Sequence, residues 1–448
     1  MKNKIRIGCG AGFSGDRIEP AIILAEKGEL DYLVLECLAE RTIALAQKRK
    51  MTDPTKGYDP LLVRRIQTLL PHLVKNNIRL ITNIGAANPI EGAKKIIEIA
   101  QKLGIKIKVA AVSGDDLSEK LKAKREEFQI FGNEKESLEL IKKHHLPILS
   151  ANAYIGVEGV LEALQADVQI IITGRVADPS LFLAPMIHEF GWQTDDFDLL
   201  GKGTVIGHLL ECAGQVTGGY FADPIKKPVS DLANLGHPFA DIFSDGIAII
   251  SKVEGTGGIV NLATVKEQLL YEVINPKEYF TPDVIADFTT VQLKDLGNNQ
   301  VQVFGGTGKE KPKTYKVSVG YKAFYLGEGE ISYAGKNAIE RAKLAGEIIE
   351  ERLKNEVNEL RIDYIGLQSV HRTSFENQSI PYEIRLRVAA NANSAEIAAL
   401  VGEEVEALYT NGPAGGGGVR KYINEVIGIV SVLVDRNKVL PKIDIFES

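Results

Sequence analysis

Six short apolar runs constrain this chain more than any other feature. They lie at residues 5–7, 32–35, 79–82, 107–112, 147–149 and 168–173, and most are rich in Ile, Leu or Val. Runs this short and this apolar suit strands buried on both faces, as in a parallel sheet. Helical patterns lie between them. Residues 18–29 form one, with Pro20 tolerated in its first turn. Residues 89–103 form another, with Gly104 as its stop signal, and 156–164 form a third. Repeated βα alternation predicts an α/β fold with a mostly parallel sheet flanked by helices. A Rossmann-like doubly wound sheet is the preferred form, and a βα-barrel is the alternative.

The second half reads differently. Residues 1–225 are expected to form the α/β ligand-binding domain. The stretch 226–246, with Pro228, Gly236 and Pro238, is expected to be a crossover segment. Residues 247–448 then form an α+β domain. Its first strand is 247–253. Strands 290–296 and 300–304 flank the hairpin signal Gly297-Asn298-Asn299. Strands at 316–326 and 330–334 flank a Gly-containing turn. Helix 337–355, strands 362–367 and 383–389, helix 394–408, a Gly-rich loop and a strand at 426–434 complete it.

Composition excludes several classes. With 44% hydrophobic residues among 448, the chain can bury a core and is not disordered. A net charge of −6 argues against nucleic-acid or anionic-membrane binding, which needs a basic face. Cys9, Cys37 and Cys212 are far apart and show no zinc spacing. They fit a reduced cytoplasm. The N-terminus carries no apolar leader pattern, and no run approaches the roughly 20 residues of a membrane span.

Ligands of α/β folds bind at the C-terminal ends of strands. Here those ends carry Gly8-Cys9-Gly10-Ala11-Gly12-Phe13-Ser14-Gly15-Asp16-Arg17, then Glu36 to Arg41, then Asn83 to Asn88, then Asp115, Asn152 and Thr173-Gly174-Arg175-Val176-Ala177-Asp178. Turn geometry and helix caps explain any one such end. Six together point to a site. Gly10, Gly12, Ser14, Asp16, Asn83, Asn88, Asp115 and Asn152 are the candidate substrate-binding residues. Arg17, Arg41 and Arg175 are candidates to pair a carboxylate or phosphate. The first loop is close to a dinucleotide fingerprint, but its third glycine comes one position early.

Further on, His208, Glu211 and Cys212 share one face if helical. They offer an acid/base pair or, with the thiol, metal ligands, but the spacing is no zinc signature and no metal is expected. Thr217 and Gly218 form a candidate anion nest. Gly255 and Gly257 mark one later Gly-rich loop, and Gly415, Gly416 and Gly417 another, a candidate cradle with Arg420 nearby. His371 and Arg372 add a charged loop that surface exposure explains equally well. Glu36, Asp178, His208 and Glu211 are the candidate catalytic groups.

The motifs GCGAGFSGDR (8–17), LECLAERT (35–42), SANAYIG (150–156), TGRVADPSLF (173–182), GHLLECAGQVTGGYFADP (207–224), VEGTGGIVN (253–261) and YTNGPAGGGGVR (409–420) resemble the acyclic terpene utilisation family. The resemblance covers nearly the whole chain. It implies catabolism of substrates carried as acyl-CoA thioesters. Many relatives carry an extra C-terminal domain of about a hundred residues. This chain ends at Ser448, so that domain is expected as a separately encoded small subunit. Three functions follow. The first is an enzyme acting on an anionic small molecule, a carboxylate or acyl-CoA, by hydratase or lyase chemistry, with no other cofactor. The second is a non-catalytic accessory subunit that binds CoA or a carboxylate. The third is a dinucleotide-dependent oxidoreductase. A homo-oligomer is expected in each.

Overall fold

The computed structural model describes residues 2–124, 127–131, 139, 141, 146–371 and 380–448. Of the charged loop at 371–374, residues 372–374 lie outside the described residues. The chain divides into two units. The larger comprises Met1–Lys143, Ile148–Gly320 and Ile429–Ser448, and the smaller His144–Pro147 and Tyr321–Gly428. The division falls inside two long strands, Thr314–Ala334 and Gly417–Asp435. The proline-rich stretch 226–246 lies within the larger unit, where Pro238–Phe243 is a strand. Proline is tolerated there because it opens the strand.

The larger unit is built on a ten-stranded mixed sheet. Its strands are β1 (Lys4–Ala11), β2 (Tyr32–Leu35), β3 (Arg79–Thr82), β4 (Lys108–Ser113), β5 (Ile170–Thr173), β6 (Pro238–Phe243), β7 (Ala248–Lys252), β8 (Gln292–Gly297), β9 (Gln300–Phe304) and β10 (Lys442–Glu447). Their order is β8-β9-β7-β6-β1-β2-β3-β5-β4-β10. The central five, β1, β2, β3, β5 and β4, are parallel. The flanking strands pair antiparallel. The β8–β9 hairpin turns through Asn298 and Asn299, both at positive φ (49° and 59°), as a twisted two-residue turn requires.

Helices cover both faces of the parallel strands. They are α1 (Glu19–Lys27), α2 (Glu40–Thr52), α3 (Leu62–Lys75), α4 (Pro89–Lys102), α5 (Glu158–Gln165), α6 (Asp178–Phe190), α7 (Phe197–Glu211) and α8 (Leu262–Leu270). Leu24 of α1, Leu69 of α3 and Ile96 of α4 share one core with Leu33, Leu35, Leu80, Val109 and Ile172. The alternate strand residues point the other way. The Tyr32 hydroxyl donates to Glu189 of α6 at 2.6 Å, and Val112 fills the space beside Gly159 of α5. Burial on both faces is why these strands read as unbroken apolar runs.

Two expectations are corrected. The segment at 147–149 belongs to strand Ile148–Ala153, which lies outside the ten-stranded sheet and pairs with Thr314–Ala334. Its polar residues serve that pairing, since Ser150 Oγ accepts from the Gly320 N–H at 3.2 Å. The turn expected between 326 and 330 is absent, because Thr314–Ala334 is continuous. Gly327 and Gly329 instead let helix Ala395–Asn411 lie against the strand, where a Cβ would strike Ala398 and Val405.

The smaller unit packs helices Ala338–Leu353 and Ala395–Asn411 on an antiparallel sheet that includes Glu359–Ile365 and Glu383–Ala392. Its core joins Ala342, Ile349, Val401 and Val405 to Ile331, Leu386 and Val388. Among the described residues, no helix is long and apolar enough to cross a membrane.

Gly10 offers a test of this packing. A Cβ there would meet Leu35 Cδ2 at 2.7 Å and the Ala21 Cβ at 2.8 Å, whereas one at Gly417 would meet nothing within 4 Å. Gly10→Ala is expected to cost about 1–3 kcal/mol in denaturant unfolding, and Gly417→Ala to stay within about 0.5 kcal/mol of the parent.

Candidate active site

Parallel strands place their C-terminal ends along one edge. A cavity of about 1010 Å³ lies there, within the larger unit. Gly12, Phe13 and Asp16 line it from the loop after β1, Glu36 from the loop after β2 and Glu40 from the start of α2, and Arg175 from the loop after β5 and Asp178 from the start of α6. Glu211 and Cys212, at the end of α7, and the Tyr271–Glu272 and Tyr279–Pro282 segments add to the lining.

Glu36 is buried, and its Oε1 accepts from the Leu38 N–H and the Asn83 Nδ2, both at 2.8 Å. Asn83 Oδ1 in turn accepts from the Cys37 N–H at 2.7 Å, so Asn83 fixes the loop that presents Glu36. Burial pushes the Glu36 carboxyl up to about 7, against the pull of Arg175 and of those hydrogen bonds. The neighbouring Glu211 pushes in the same direction.

Helix α7 makes the second centre. His208 and Glu211 lie three residues apart on it, and His208 Nδ1 is 2.8 Å from Glu211 Oε1. His208 Nε2 is 3.0 Å from the Gln268 carbonyl oxygen. A carbonyl only accepts, so Nε2 carries a proton. Nδ1 and Glu211 therefore hold one proton between them, as imidazolium and carboxylate or as imidazole and carboxylic acid. Glu211 Oε2 is buried with no partner. Burial raises the Glu211 carboxyl above its ordinary value. Tyr279 and Phe288 flank the imidazole with ring centroids 5.3 and 5.4 Å away.

Arg175 is buried and fully engaged. Its guanidinium donates to the Leu38 and Val176 carbonyls and pairs with Asp178, under the Tyr154 ring at 4.5 Å. Asp178 is thus tied into an ion pair at the start of α6. The Tyr154 hydroxyl donates to Glu40, whose Oε1 lies 3.4 Å from Lys316 Nζ. Burial would raise Glu40, but Tyr154, the backbone N–H and Lys316 override it and push the carboxyl down to about 2.

Other candidates serve the scaffold. Asp115 accepts from Asn152 Nδ2 at 2.8 Å and from the Arg175 N–H at 2.9 Å, and neither Asp115 nor Asn152 lines the cavity. Burial pushes Asp115 up to about 6. Asn88 Nδ2 holds the Pro54 and Lys56 carbonyls. Ser14 donates to Asp59, and Arg17 to the Ala233 carbonyl. Arg41 is exposed, and neither arginine lines the cavity. Thr217 donates to the Gly214 and Gly236 carbonyls, so its hydroxyl serves chain packing, and Gly218 sits beside Val229. Gly415, Gly416 and Gly417 belong to the smaller unit, where Arg341 donates to the adjoining Ala414 carbonyl at 2.7 Å.

Gly10 packs under Leu35 and Ala21, and Gly12 abuts the Cys212 backbone, where a Cβ would come within 2.6 Å. The second glycine of a dinucleotide loop lets the backbone approach the pyrophosphate, whereas here Leu35 and Ala21 pack against Gly10. Among the described residues, no group of three His, Cys, Asp or Glu side chains is placed to hold a metal ion. Sequence reasoning missed Tyr154, Lys316, Gln268 and His237. The first two follow or lie on strands outside the parallel set, and His237 hides in the proline-rich stretch.

A family profile described as acyclic terpene utilisation family protein AtuA matches residues 5–445. The chain belongs to this family. No curated protein and no solved structure matches it.

The raised Glu36 carboxyl links to stability. Its folded value of about 7 exceeds the ordinary 4.5, so its contribution is complete below pH 4.5 and is lost as pH rises through 7. Glu36→Gln keeps the oxygen acceptor and removes the titration. Its stability relative to the parent is expected to rise between pH 4.5 and 8, by on the order of 2–3 kcal/mol, in paired urea titrations. An equal difference at both pH values contradicts a buried, proton-binding Glu36.

Proposed function

We propose that the chain is an enzyme that moves protons on an acyl substrate, in hydration or dehydration chemistry. One observation carries this reading. The cavity is lined by Glu36, a buried carboxyl that holds its proton near neutral pH, and by Glu211, which shares a proton with His208 and keeps an unpartnered Oε2. Such groups, tuned toward working pH, suit general acid/base catalysis.

In a dehydration, the His208–Glu211 pair takes the proton from the carbon next to the acyl carbonyl. Glu36 gives its proton to the departing hydroxyl. The C–H and C–O bonds break, the C=C bond forms and water leaves. Hydration runs the same steps in reverse. The Nε2–H bond to Gln268 holds the imidazole in place throughout.

The cavity walls support an apolar acyl group. Leu38, Ala177, Pro179, Leu235, Tyr279 and Tyr315 are among the lining residues. A family named for acyclic terpenes is consistent with a branched apolar chain. Of the lining cations, Arg175 is already committed and Lys316 is half-exposed and shared with Glu40. A CoA carrier would therefore keep its phosphates outside the deep cavity, with Lys316 as the nearest lining cation still open to solvent. The accessory-subunit and dinucleotide readings draw no comparable support from the cavity.

A thermal-shift screen of acyl-CoAs, free carboxylates and nucleotides finds the ligand class, because a ligand at a hundredfold excess over Kd adds about 2.7 kcal/mol. On the substrate so found, Glu36→Gln and Glu211→Gln are each expected to lower kcat about 10²–10⁴-fold with folding intact. Full turnover in both variants would sink the reading.

A further inference from the structure

We propose that His237 is a further acid/base residue of this cavity. The proposal rests on the reading of the cavity as a proton-transfer site. It starts from topology. Strand β6 runs antiparallel to β1, with Phe239 opposite Gly8. His237, two residues before Phe239, is thereby brought to the C-terminal end of β1, beside the loop that carries Asp16. Its Nε2 lies 3.8 Å from Asp16 Oδ1. Asp16 is itself fixed, because its Oδ2 accepts from the Gly12 N–H and its Oδ1 from the Arg17 N–H, each at 2.9 Å. Both His237 and Asp16 line the cavity.

His237 Nδ1 is buried and has no partner in the protein. A buried polar nitrogen calls for a partner, and the imidazole borders the cavity, from which, in this proposal, a water or a substrate group reaches it. Gly214 lies beside the ring, where a Cβ would sit 3.5 Å from both Nε2 and Cδ2. Burial draws the imidazole below its ordinary value, helped by Arg17 and Arg65 and against the pull of Asp16 and of the Gly10 backbone beside the ring, so the neutral form is favoured near pH 7.

The surrounding glycines explain themselves through this histidine. The segment before it is clamped from two sides. The Thr217 hydroxyl donates to the Gly236 carbonyl at 2.6 Å, and the Gly236 N–H donates to the Gly257 carbonyl at 3.0 Å. The Gly257 N–H returns to the Asn234 carbonyl at 2.8 Å, and a side chain at Gly257 would strike the Asp231 backbone. Thr217, which with Gly218 reads as an anion nest in the sequence, joins the loop at 255–257 in clasping the His237 segment. Thr217 is then a positioning residue.

Two measurements test the proposal on the full chain. The first needs no substrate. Diethyl pyrocarbonate is added and the modified histidines are mapped by mass spectrometry. His237 is expected to be labelled through the cavity, and His208, with both ring nitrogens engaged, to be spared. The second uses the substrate from the thermal-shift screen. His237→Ala is expected to lose at least about 100-fold in kcat, and added imidazole to restore about tenfold or more, which a structural role would not allow. His237→Gln is expected to lose a similar factor. The proposal is overturned if His237 stays unlabelled while the half-exposed His72 reacts to completion. It is equally overturned if His237→Gln turns over at the parent rate, or if imidazole restores nothing to His237→Ala. Failure of the wider reading shows elsewhere, as full turnover in Glu36→Gln and Glu211→Gln.

Discussion

Strand β1 has a parallel neighbour on one side and an antiparallel neighbour on the other, and the site depends on that pairing. Parallel pairing with β2 aligns the end of β1 with the end of β2, so the Gly12–Asp16 loop meets Glu36. Antiparallel pairing with β6 brings the start of β6 to the same place, so His237 arrives there from far along the chain. A slip of one residue on either side would turn every side chain of the slipped strand to the opposite face. The buried cores on both faces exclude such a slip. Packing far from the cavity therefore sets which ionisable groups meet within it.

Burial then decides the protonation of those groups. A carboxylate removed from water is costly, and the chain answers in two ways. Glu40 keeps its charge beside Tyr154 and Lys316, and Asp178 is paired with Arg175. Glu36 and Glu211 lack a comparable ion pair with Lys or Arg and shift toward the proton-bound form. The first pair orders the walls, and the second is the pair to which the proposed function assigns the exchangeable protons. The strain nearby agrees with this division. Tyr220 and Glu272 line the cavity at φ of 60° and 58°, and Ala213, next to Cys212, sits at 44°. Such backbone is held only where the surroundings over-determine it.

Much of this was legible in the sequence, and the rest failed for definable reasons. The parallel strands were readable because burial on both faces leaves an unbroken apolar run. Glu36, Asp178 and Arg175 were readable because a short strand places its next residues at the edge, and Glu211 because helical spacing sets it beside His208. Segment 147–149 looked alike but joins another sheet, since three apolar residues do not tell which partner a strand takes. Gly327 and Gly329 read as a turn because local pattern carries no trace of the helix that crosses them. His237 was hidden for the same reason. Its neighbours Gly236 and Pro238 signal a loop, and only long-range register shows that this loop ends at the site.

The glycines follow from the same distinction between local and long-range causes. A high glycine content with glycines after strands invites an anion-binding interpretation, since bare backbone N–H groups attract phosphate. The close approaches here are to the chain itself. Gly12 makes room for the Cys212 backbone, Gly10 for Leu35 and Ala21, and Gly257 for the Asp231 carbonyl. Each lets two segments come near enough to set a polar side chain at the cavity. The cavity that results is rich in carboxyls, and the buried Arg175 guanidinium that lines it is already paired. An anion entering deeply would meet repulsion with little compensating charge, whereas an uncharged acyl group would meet apolar walls and two proton carriers. Under the proposed proton-transfer reading, the apolar walls favour the uncharged end of a substrate, while the charged carboxylates at Glu40 and Asp178 are already matched by Lys316 and Arg175.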